Sequence, residues 1–401
     1  MDKKMIKYVG VLVGLVILLI IVLLIKNSVT GGNKYTTEQL EVKLVEAAKK
    51  YVEDKKKNNQ DILPDAPGGT PLELSDAVLV NNGYIDNLSD IVKGDLTCHG
   101  RVYIWNAGNG NYDYVPELTC GNYTTVRLVD KVIQDNDYGV TYGSGLYQRI
   151  NGNFVTEDRY LNSSGDNFEY VFRGDVVNNY VKIDENLFRI VSIDNEDNML
   201  LILVGSSRKS YTWDEKFNSD VGKYQGINIY EENGLESNAY KLAREFYDET
   251  LDMMNKEKIS KKLKHLIVPM DLCIGKRSTT DSSMDGSTEC ATVLEGEYVG
   301  MLPAYYYMSA SLDSECDSIA SKNCGNYNYL SSFDDYWWLV TANSENTNEA
   351  YSVSKKFASS NFCSYKSVIR PIIKIGSRVL YKEGNGTLEE PYQINYFTDE
   401  E

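Results

Sequence analysis

Histidine is nearly missing from this chain, and so are the short motifs that mark common catalytic sites. Only two histidines, His99 and His265, occur in 401 residues. They lie in different predicted modules, so a shared acid–base role is not expected. The sequence also contains no P-loop, no G-x-S-x-G turn and no H-E-x-x-H helix. These absences favour a protein that is not an enzyme.

Cysteine pairs of the C-x-x-C type are also missing, which disfavours a zinc site. Disulfides are the alternative, and they belong to oxidising compartments outside the cytoplasm. Sequence alone does not fix their connectivity. Close neighbours in the chain favour the pairs Cys98 with Cys120, Cys273 with Cys290, and Cys316 with Cys324, which leaves Cys363 over.

A recognisable calcium-binding motif is missing as well. Asp281, Asp285 and Glu289 lie close together in TDSSMDGSTEC, but their spacing does not fit the EF-hand loop. We therefore interpret this segment as a solvated loop, and the sequence predicts no metal site and no cofactor.

Positive charge is in deficit: the formal net charge is −17 and the pI is near 4.7. Such a chain repels phosphate backbones, so nucleic acid is not an expected partner. Tyrosine is abundant, with 31 residues against 10 phenylalanines. Tyrosine suits binding surfaces that are partly apolar and partly wet, although it also fills β-rich folds.

One long apolar run stands near the N-terminus. Residues 8–25 read YVGVLVGLVILLIIVLLI without a charge, and at 1.5 Å per residue they cover about 27 Å, close to one bilayer core. Lys3, Lys4 and Lys7 precede the run, so residues 1–7 are expected to be a cytoplasmic tail. The sequence thus predicts a single-pass protein of the cell membrane, with its C-terminal bulk extracellular. A cleaved signal peptide is the alternative, but no A-x-A-like site follows in KNSVTGGNKY.

Residues 34–125 predict a first extracellular module. Thr36 with Gln39 matches a capping box for an amphipathic helix, and Thr70 before Pro71 is typical of a second, short helix that stops at Gly83. RVYIW and YDYVPEL then predict a β-hairpin, with Cys98 and Cys120 at its base.

This order of parts resembles type IV pilin-like proteins of Gram-positive bacteria. The resemblance covers residues 1–125 and rests on AAKKYVED, LSDAVLVNNGYIDNL and PELTCGNY. It implies a stalk module. The Gly before the apolar run and the Glu five residues into the mature helix that a prepilin peptidase requires are absent.

The remaining chain predicts residues 126–159 as a linker with first strands, and residues 160–397 as a larger β-rich domain. Strands are expected in FEYVFRG, NYVKIDENLFRIVSI and NMLLILVG, and again in WWLVTA, AYSVS, VIRPIIKI and RVLYK. Helices are expected at Ser237–Met254 and Ile259–Leu266.

This second part is similar to C-type-lectin-like or formylglycine-generating-enzyme-like modules of Firmicutes surface proteins. The similarity rests on LPAYYYMSASLDSEC, on NYNYLSSFDDYWWLVTA and on IRPIIKIGSRVLYKEGNGTLEEPYQI, in which Arg370 is expected to pair with a buried carboxylate. The calcium-dependent sugar triplets of C-type lectins are absent, and Cys363 has no partner that would form a formylglycine-generating site.

Together these features predict an α+β protein: a single N-terminal transmembrane helix, a small pilin-like helix-plus-hairpin module and a larger C-type-lectin-like mixed α+β domain. The expected function is non-catalytic, adhesin-like binding of an extracellular glycan, peptide or protein. The alternatives are a minor pilin-like structural or assembly component and a formylglycine-generating-like enzyme. The expected partners are the membrane, through residues 8–25, and that unknown ligand. The candidate binding residues are Tyr305, Tyr306, Tyr336 and Trp337.

Overall fold

The structure is a computed structural model that describes residues 34–66, 70–108, 110–136, 143–155, 168–254, 257–355 and 357–397. These residues form two compact units. Unit 1 runs to Thr125 and also includes Tyr396 and Phe397, while unit 2 spans Val126–Asn395.

Unit 1 combines one long helix with a four-stranded antiparallel sheet in the order β1-β2-β3-β4. Its helices are α1 (Thr37–Lys57), α2 (Asp76–Asn81) and α3 (Leu88–Ile91). Its strands are β1 (Leu72–Ser75), β2 (Cys98–Gly108), β3 (Asn111–Cys120) and β4 (Tyr123–Thr124).

Helix α1 begins where the sequence predicts. The Thr36 hydroxyl accepts from the Gln39 amide at 3.3 Å, and the Gln39 side chain accepts from the Thr36 amide at 3.1 Å, so the capping box is confirmed. Leu40, Leu44 and Ala48 recur at helical spacing and are fully buried. This apolar stripe provides the core of unit 1.

A buried carboxylate also lies on α1. Glu41 accepts hydrogen bonds from the hydroxyls of Tyr123, at 2.8 Å, and Thr125. Burial raises the pKa of Glu41, against the opposing effect of these two donors. The side chain thus ties the helix to the strand that closes the sheet.

The predicted hairpin is confirmed: β2 and β3 pair antiparallel, and Cys98 lies directly opposite Cys120. These two residues form a disulfide. The short helix predicted to start at Thr70 is wrong, because Leu72–Ser75 pairs with β2 as an edge strand. Ser75, not Thr70, caps the helix that follows, through its hydroxyl and the Val78 amide at 3.3 Å.

Unit 2 is built on a ten-stranded sheet whose main path is β16-β21-β10-β9-β7-β5-β6. Strand β8 also pairs with β9, and β23 joins β8 to β22. Every pairing is antiparallel except that of β8 with β23, which is parallel. The strands are β5 (Gly145–Ile150), β6 (Asn153–Phe154), β7 (Phe168–Arg173), β8 (Tyr180–Ile183), β9 (Asn186–Asp194), β10 (Met199–Leu203), β16 (Gly300–Met301), β21 (Pro371–Ile375), β22 (Leu380–Glu383) and β23 (Tyr392–Asn395).

The centre of this sheet is the core of unit 2. Every residue of β10 is buried, and β9 and β21 are buried along most of their length. Near-continuous apolar runs such as MLLIL and PIIKI are typical of strands that are covered on both faces. A polar side chain within these strands therefore needs a partner.

Smaller elements surround the sheet. The remaining strands form four small antiparallel sheets: β11 (Tyr211–Thr212) with β20 (Lys366–Ser367), β12 (Glu231–Glu232) with β13 (Leu235–Glu236), β14 (Met270–Cys273) with β15 (Val293–Glu297), and β17 (Trp337–Ala342) with β18 (Glu349–Val353) and β19 (Ala358–Phe362). The helices are α4 (Leu128–Asp135), α5 (Asn238–Tyr247), α6 (Lys261–Leu266) and α7 (Ala304–Ser309), with 3-10 turns at Glu289–Ala291, Lys322–Gly325 and Tyr329–Ser332.

The predicted fold class needs correction. The expectation was a transmembrane helix, a pilin-like module and a lectin-like α+β domain. The described residues are instead mixed α/β, with more strand (35%) than helix. None of the helices in the described ranges combines the length and the apolar character that a membrane span needs. The longest, α1, carries charged residues along its whole length. The predicted span, residues 8–25, lies outside the described residues.

Candidate functional site

A small cleft opens on one face of the unit 2 sheet, and we call it the Tyr306 cleft. Its cavity volume is about 60 Å³. The sheet contributes Ser192 and Asp194 from β9, Leu200 from β10, and Ile372 and Lys374 from β21. The other walls come from Asn198, from Met270, Asp271, Leu272 and Cys273 of β14, and from Pro303, Tyr305 and Tyr306.

The polar residues on this face of the sheet form two neighbouring rows across the strands. Arg149 lies opposite Glu169, and Glu169 lies opposite Asp194. Leu200 lies opposite both Ser192 and Lys374. Directly opposed residues of neighbouring strands share one face, and Ser192 and Asp194 lie two positions apart on β9. The two rows therefore present two cations and two carboxylates to the same side.

Tyr306 is fixed by two hydrogen bonds to these rows. Its hydroxyl donates to the Glu169 Oε2 atom at 3.1 Å and accepts from the Ser192 Oγ atom at 3.2 Å. Burial, followed by the nearby negative charge of Glu169, raises the pKa of Tyr306 above its ordinary value. The phenol therefore stays neutral, with a set orientation.

Arg149 supports the tyrosine pair from behind. Its side chain is buried, and its Nε atom donates to the Glu169 Oε1 atom at 2.8 Å. The guanidinium lies 5.4 Å from the ring centre of Tyr305 and 5.7 Å from that of Tyr306, within cation–π range. The two rings are themselves 4.2 Å apart. The rings of Tyr305 and Tyr306, which form the aromatic wall of the cleft, thus pack against the ion pair of Arg149 and Glu169.

Opposite this wall, the cleft carries an ion pair that keeps contact with solvent. The Lys374 Nζ atom lies 3.0 Å from an Asp194 oxygen, and the two side chains are 24% and 26% exposed. Asp194 also accepts from the backbone amides of Glu196 and Asn198 at 3.0 and 2.9 Å. An ammonium has three donor hydrogens, so Lys374 keeps donors for a ligand.

A disulfide-closed loop completes the back of the site. Cys273 and Cys290 are bonded, and between them the Met284 carbonyl accepts from the Arg149 guanidinium and, at 2.9 Å, from the Ser309 hydroxyl. The loop therefore holds Arg149 against the tyrosines.

The acidic residues of this loop are used internally. Glu289 is fully buried and accepts two hydrogen bonds of 2.9 Å from the guanidinium of Arg277, which is also fully buried. Asp281 accepts from Arg277 at 3.1 Å and from the Thr288 hydroxyl at 2.6 Å. No group of three or more metal-ligating side chains occurs among the described residues. The interpretation of a freely solvated loop was wrong for Glu289, because Arg277 neutralises it inside the fold.

The predicted binding residues fall in two places. Tyr305 and Tyr306 line the Tyr306 cleft, although Tyr305 is only 7% exposed. Tyr336 is 63% exposed, but it does not line the cleft. Trp337 is fully buried, with its ring 5.8 Å from that of Phe333. Its side chain therefore belongs to the core.

Sequence reasoning missed the partners of the tyrosines. Arg149, Glu169, Ser192, Asp194 and Lys374 come from four different strands, and no motif links them. One feature of the sequence could have indicated them: Lys374 is a charged residue inside the otherwise apolar strand PIIKI. A charge in such a strand needs a partner.

Arg370 only partly meets its predicted pairing with a buried carboxylate. Its ion-pair partner is Asp335, at 3.7 Å, and the Asp335 side chain is 45% exposed. The buried carboxylate nearby belongs to Glu257, which influences Arg370 through its charge without a hydrogen bond between them. The guanidinium lies 4.0 Å from the ring centre of Phe333.

Cys363 is a buried thiol without a disulfide partner. Burial raises its pKa, and the negative charges of Asp214 and Glu349 raise it further. The thiol therefore stays protonated at neutral pH, which is unfavourable for a nucleophile.

Comparison with family models, curated proteins and solved structures found no match for this chain.

Proposed function

We propose that this is an extracellular binding protein that recognises a polar ligand, such as a glycan or a peptide, at the Tyr306 cleft without chemically altering it. The observation that carries the proposal is the hydrogen-bonded set of Arg149, Glu169 and Ser192 that holds Tyr306, beside an ion pair with free donors. An aromatic wall next to fixed donors and acceptors is the usual composition of a small-ligand site.

The volume of the cleft limits what it can hold. About 60 Å³ has room for a few water molecules, so only one small group of a ligand would enter it. The rest of the ligand would lie across the open mouth. This geometry favours recognition of the end or the edge of a longer molecule.

Two features disfavour catalysis at this site. The lining contains no histidine, and its one cysteine, Cys273, is bonded to Cys290. Cys363, the thiol on which a formylglycine-generating-like activity would depend, is buried and protonated. The carboxylates of Glu169 and Asp194 already accept strong hydrogen bonds, which suits positioning of a ligand.

The compartment follows from the cysteines. Three disulfides, Cys98–Cys120, Cys273–Cys290 and Cys316–Cys324, are consistent with an extracellular protein. A single-pass topology with a cytoplasmic N-terminus stays a prediction from the sequence, and the proposal does not depend on it. The resemblance to Firmicutes surface proteins likewise stays a prediction from the sequence.

The test is to probe glycan and peptide arrays with the full-length protein, and then to titrate the best ligand against cleft variants. We expect Tyr306→Ala and Lys374→Ala to weaken binding at least tenfold, because each removes a wall of the cleft. Tyr306→Phe keeps the aromatic ring and should lose less affinity than Tyr306→Ala. Thermal unfolding of each variant checks that the fold is retained.

Tyr336→Ala is the matched control, since this exposed tyrosine does not line the cleft. It should bind as the wild type does. If Tyr336→Ala weakens binding while the cleft variants do not, the contact surface lies around Tyr336 and the proposed site is wrong. An array without any ligand would count against a binding function.

A further inference from the structure

A second, wider groove lies in unit 2, and three lysines line it. We call it the lysine groove, after Lys209, Lys241 and Lys366. Its cavity volume is about 370 Å³, against about 60 Å³ for the Tyr306 cleft. It therefore has room for a sugar-sized group.

Two of these lysines are not neutralised inside the protein. Lys209 and Lys366 are exposed and have no acidic partner within salt-bridge distance among the described residues. Lys241 reaches Glu236 only at 4.0 Å. An ammonium can only donate hydrogen bonds, so the three heads together offer a ligand several donors and positive charge.

The floor of the groove is rigid. Thr212 of β11 lies opposite Lys366 of β20. The Trp338 indole donates to the Tyr211 carbonyl at 2.9 Å, and the Asn238 amide donates to the Thr212 hydroxyl at 2.8 Å. A fully buried tryptophan thus fixes the strand that carries Tyr211, and the helix α5 is fastened to the same strand. The lysines therefore project from an ordered base.

The remaining lining residues suit a carbohydrate. Tyr211 offers an aromatic side chain, and Ser210 and Asn238 offer hydroxyl and amide groups. Glu215 and Glu245 add carboxylates that accept from sugar hydroxyls. The lining charges are three lysines and two glutamates, a local excess of one positive charge in a chain of net charge −17. Because Lys241 lies within 4.0 Å of Glu236, an anion would be attracted chiefly by the unpaired ammonium groups of Lys209 and Lys366.

We propose that the lysine groove binds an acidic carbohydrate chain, in which the sugar carboxylates contact Lys209 and Lys366 and the hydroxyls contact the polar floor. This site is independent of the Tyr306 cleft, because the two share no lining residue. The lysine groove thus recognises its ligand by charge as well as by shape.

The experiment is calorimetric titration of full-length protein with tetragalacturonate, and with the methyl ester of the same tetramer as the uncharged probe. The acid should bind, and its affinity should fall as salt is added, because exposed charges are screened. The ester should bind at least tenfold more weakly.

The variant is Lys209→Gln with Lys366→Gln, which should weaken binding of the acid about tenfold, since two exposed ionic contacts are lost. Lys261→Gln with Lys262→Gln is the matched control: it removes the same charge from α6, outside the groove, and should bind as the wild type does. Circular dichroism confirms folding of both.

Three outcomes would overturn the proposal. The first is no binding of the acid by the wild type, and the second is equal binding of the acid and its ester. The third is an equal loss in both double variants, which would indicate unspecific attraction to total charge. None of these outcomes bears on the Tyr306 cleft, whose variants are different.

Discussion

Two buried arginine–glutamate clusters in unit 2 differ in how completely their charges are paired. Arg277 and Glu289 are joined by two hydrogen bonds of 2.9 Å, and both side chains are fully buried. Arg370 and Glu257 lie near each other but share no hydrogen bond. Within the described structure, the Arg370 Nε atom and the Glu257 Oε2 atom are buried without partners.

This difference distinguishes the Arg277–Glu289 pair, which has a structural role, from the Arg370–Glu257 pair, whose stability depends on pH. Burial raises the pKa of Glu257 to about 7, against the opposing charge of Arg370. Burial likewise lowers the pKa of Arg370 to about 10, although Asp335 and Glu257 oppose the shift. A bidentate pair offsets its own desolvation, whereas an incomplete pair leaves part of that cost in the folded state. Burial alone therefore does not decide the role of a buried charge.

The largest effect is expected from Glu289→Ala, which removes the fully buried counter-charge of Arg277 and leaves Asp281, at 3.1 Å, as its carboxylate partner. The free energy of unfolding should fall by about 3 to 5 kcal/mol, as for other broken buried pairs. Urea denaturation at pH 7 measures it.

Glu295→Ala is the control for this change. Glu295 is an exposed glutamate in β15, and its replacement should cost less than about 0.5 kcal/mol. A loss below about 1 kcal/mol in Glu289→Ala would show that the complete pair contributes little, and the comparison would no longer hold.

A smaller effect of opposite sign is expected from Glu257→Gln. The folded-state pKa of Glu257, about 7, lies above the ordinary value of 4.5, so the folded state holds this proton more tightly than the unfolded chain does. The stability that Glu257 contributes is thus complete below pH 4.5 and is lost as the pH rises through 7. Glutamine imitates the protonated form at every pH.

At pH 8 the Glu257→Gln variant should therefore be more stable than the wild type by about 2 to 3 kcal/mol. Near pH 4.5 the two should be equal. Denaturation curves at both pH values measure the difference. A variant that is less stable than the wild type at pH 8 would mean that the ionised carboxylate supports Arg370, which would remove the contrast between the clusters.

The smallest effect is expected from Asp335→Asn. Asp335 lies 3.7 Å from Arg370 and is half-exposed, so water screens the pair. The free energy of unfolding should change by less than about 1 kcal/mol, because most exposed pairs contribute little. Thermal unfolding of both variants compares the loss of stability in Asp335→Asn with that in Glu289→Ala. Equal losses would place Asp335 among the essential partners of Arg370.

Local patterns allowed much of the secondary structure to be predicted. The capping box at Thr36 and Gln39 involves residues three positions apart, and the hairpin from Cys98 to Cys120 pairs neighbours in sequence. The helix start at Thr70 failed for a physical reason: pairing of Leu72 with Ile104, far along the chain, outweighed the local signal.

The candidate site could be predicted only in part, because its contacts are long-range. The run of tyrosines predicted Tyr305 and Tyr306. Glu169, by contrast, belongs to no local motif, and only folding brings it within hydrogen-bond distance of Tyr306. In the sequence, Trp337 is indistinguishable from the neighbouring surface aromatic residue Tyr336, but it lies in the fully buried strand β17. Aromatic residues alone do not distinguish a surface from a core.

The ring closed by Cys273 and Cys290 has a consequence for conformational entropy. The loop that presents the Met284 carbonyl to Arg149 is already tied at both ends, and Arg277 holds it from within. Ordering a free loop of this kind would cost free energy at each binding event. A ligand of the proposed site in the Tyr306 cleft would not have to order this loop, because folding and disulfide formation order it already. Reduction of this bond should thus lower affinity for that ligand even while the sheet beneath remains folded.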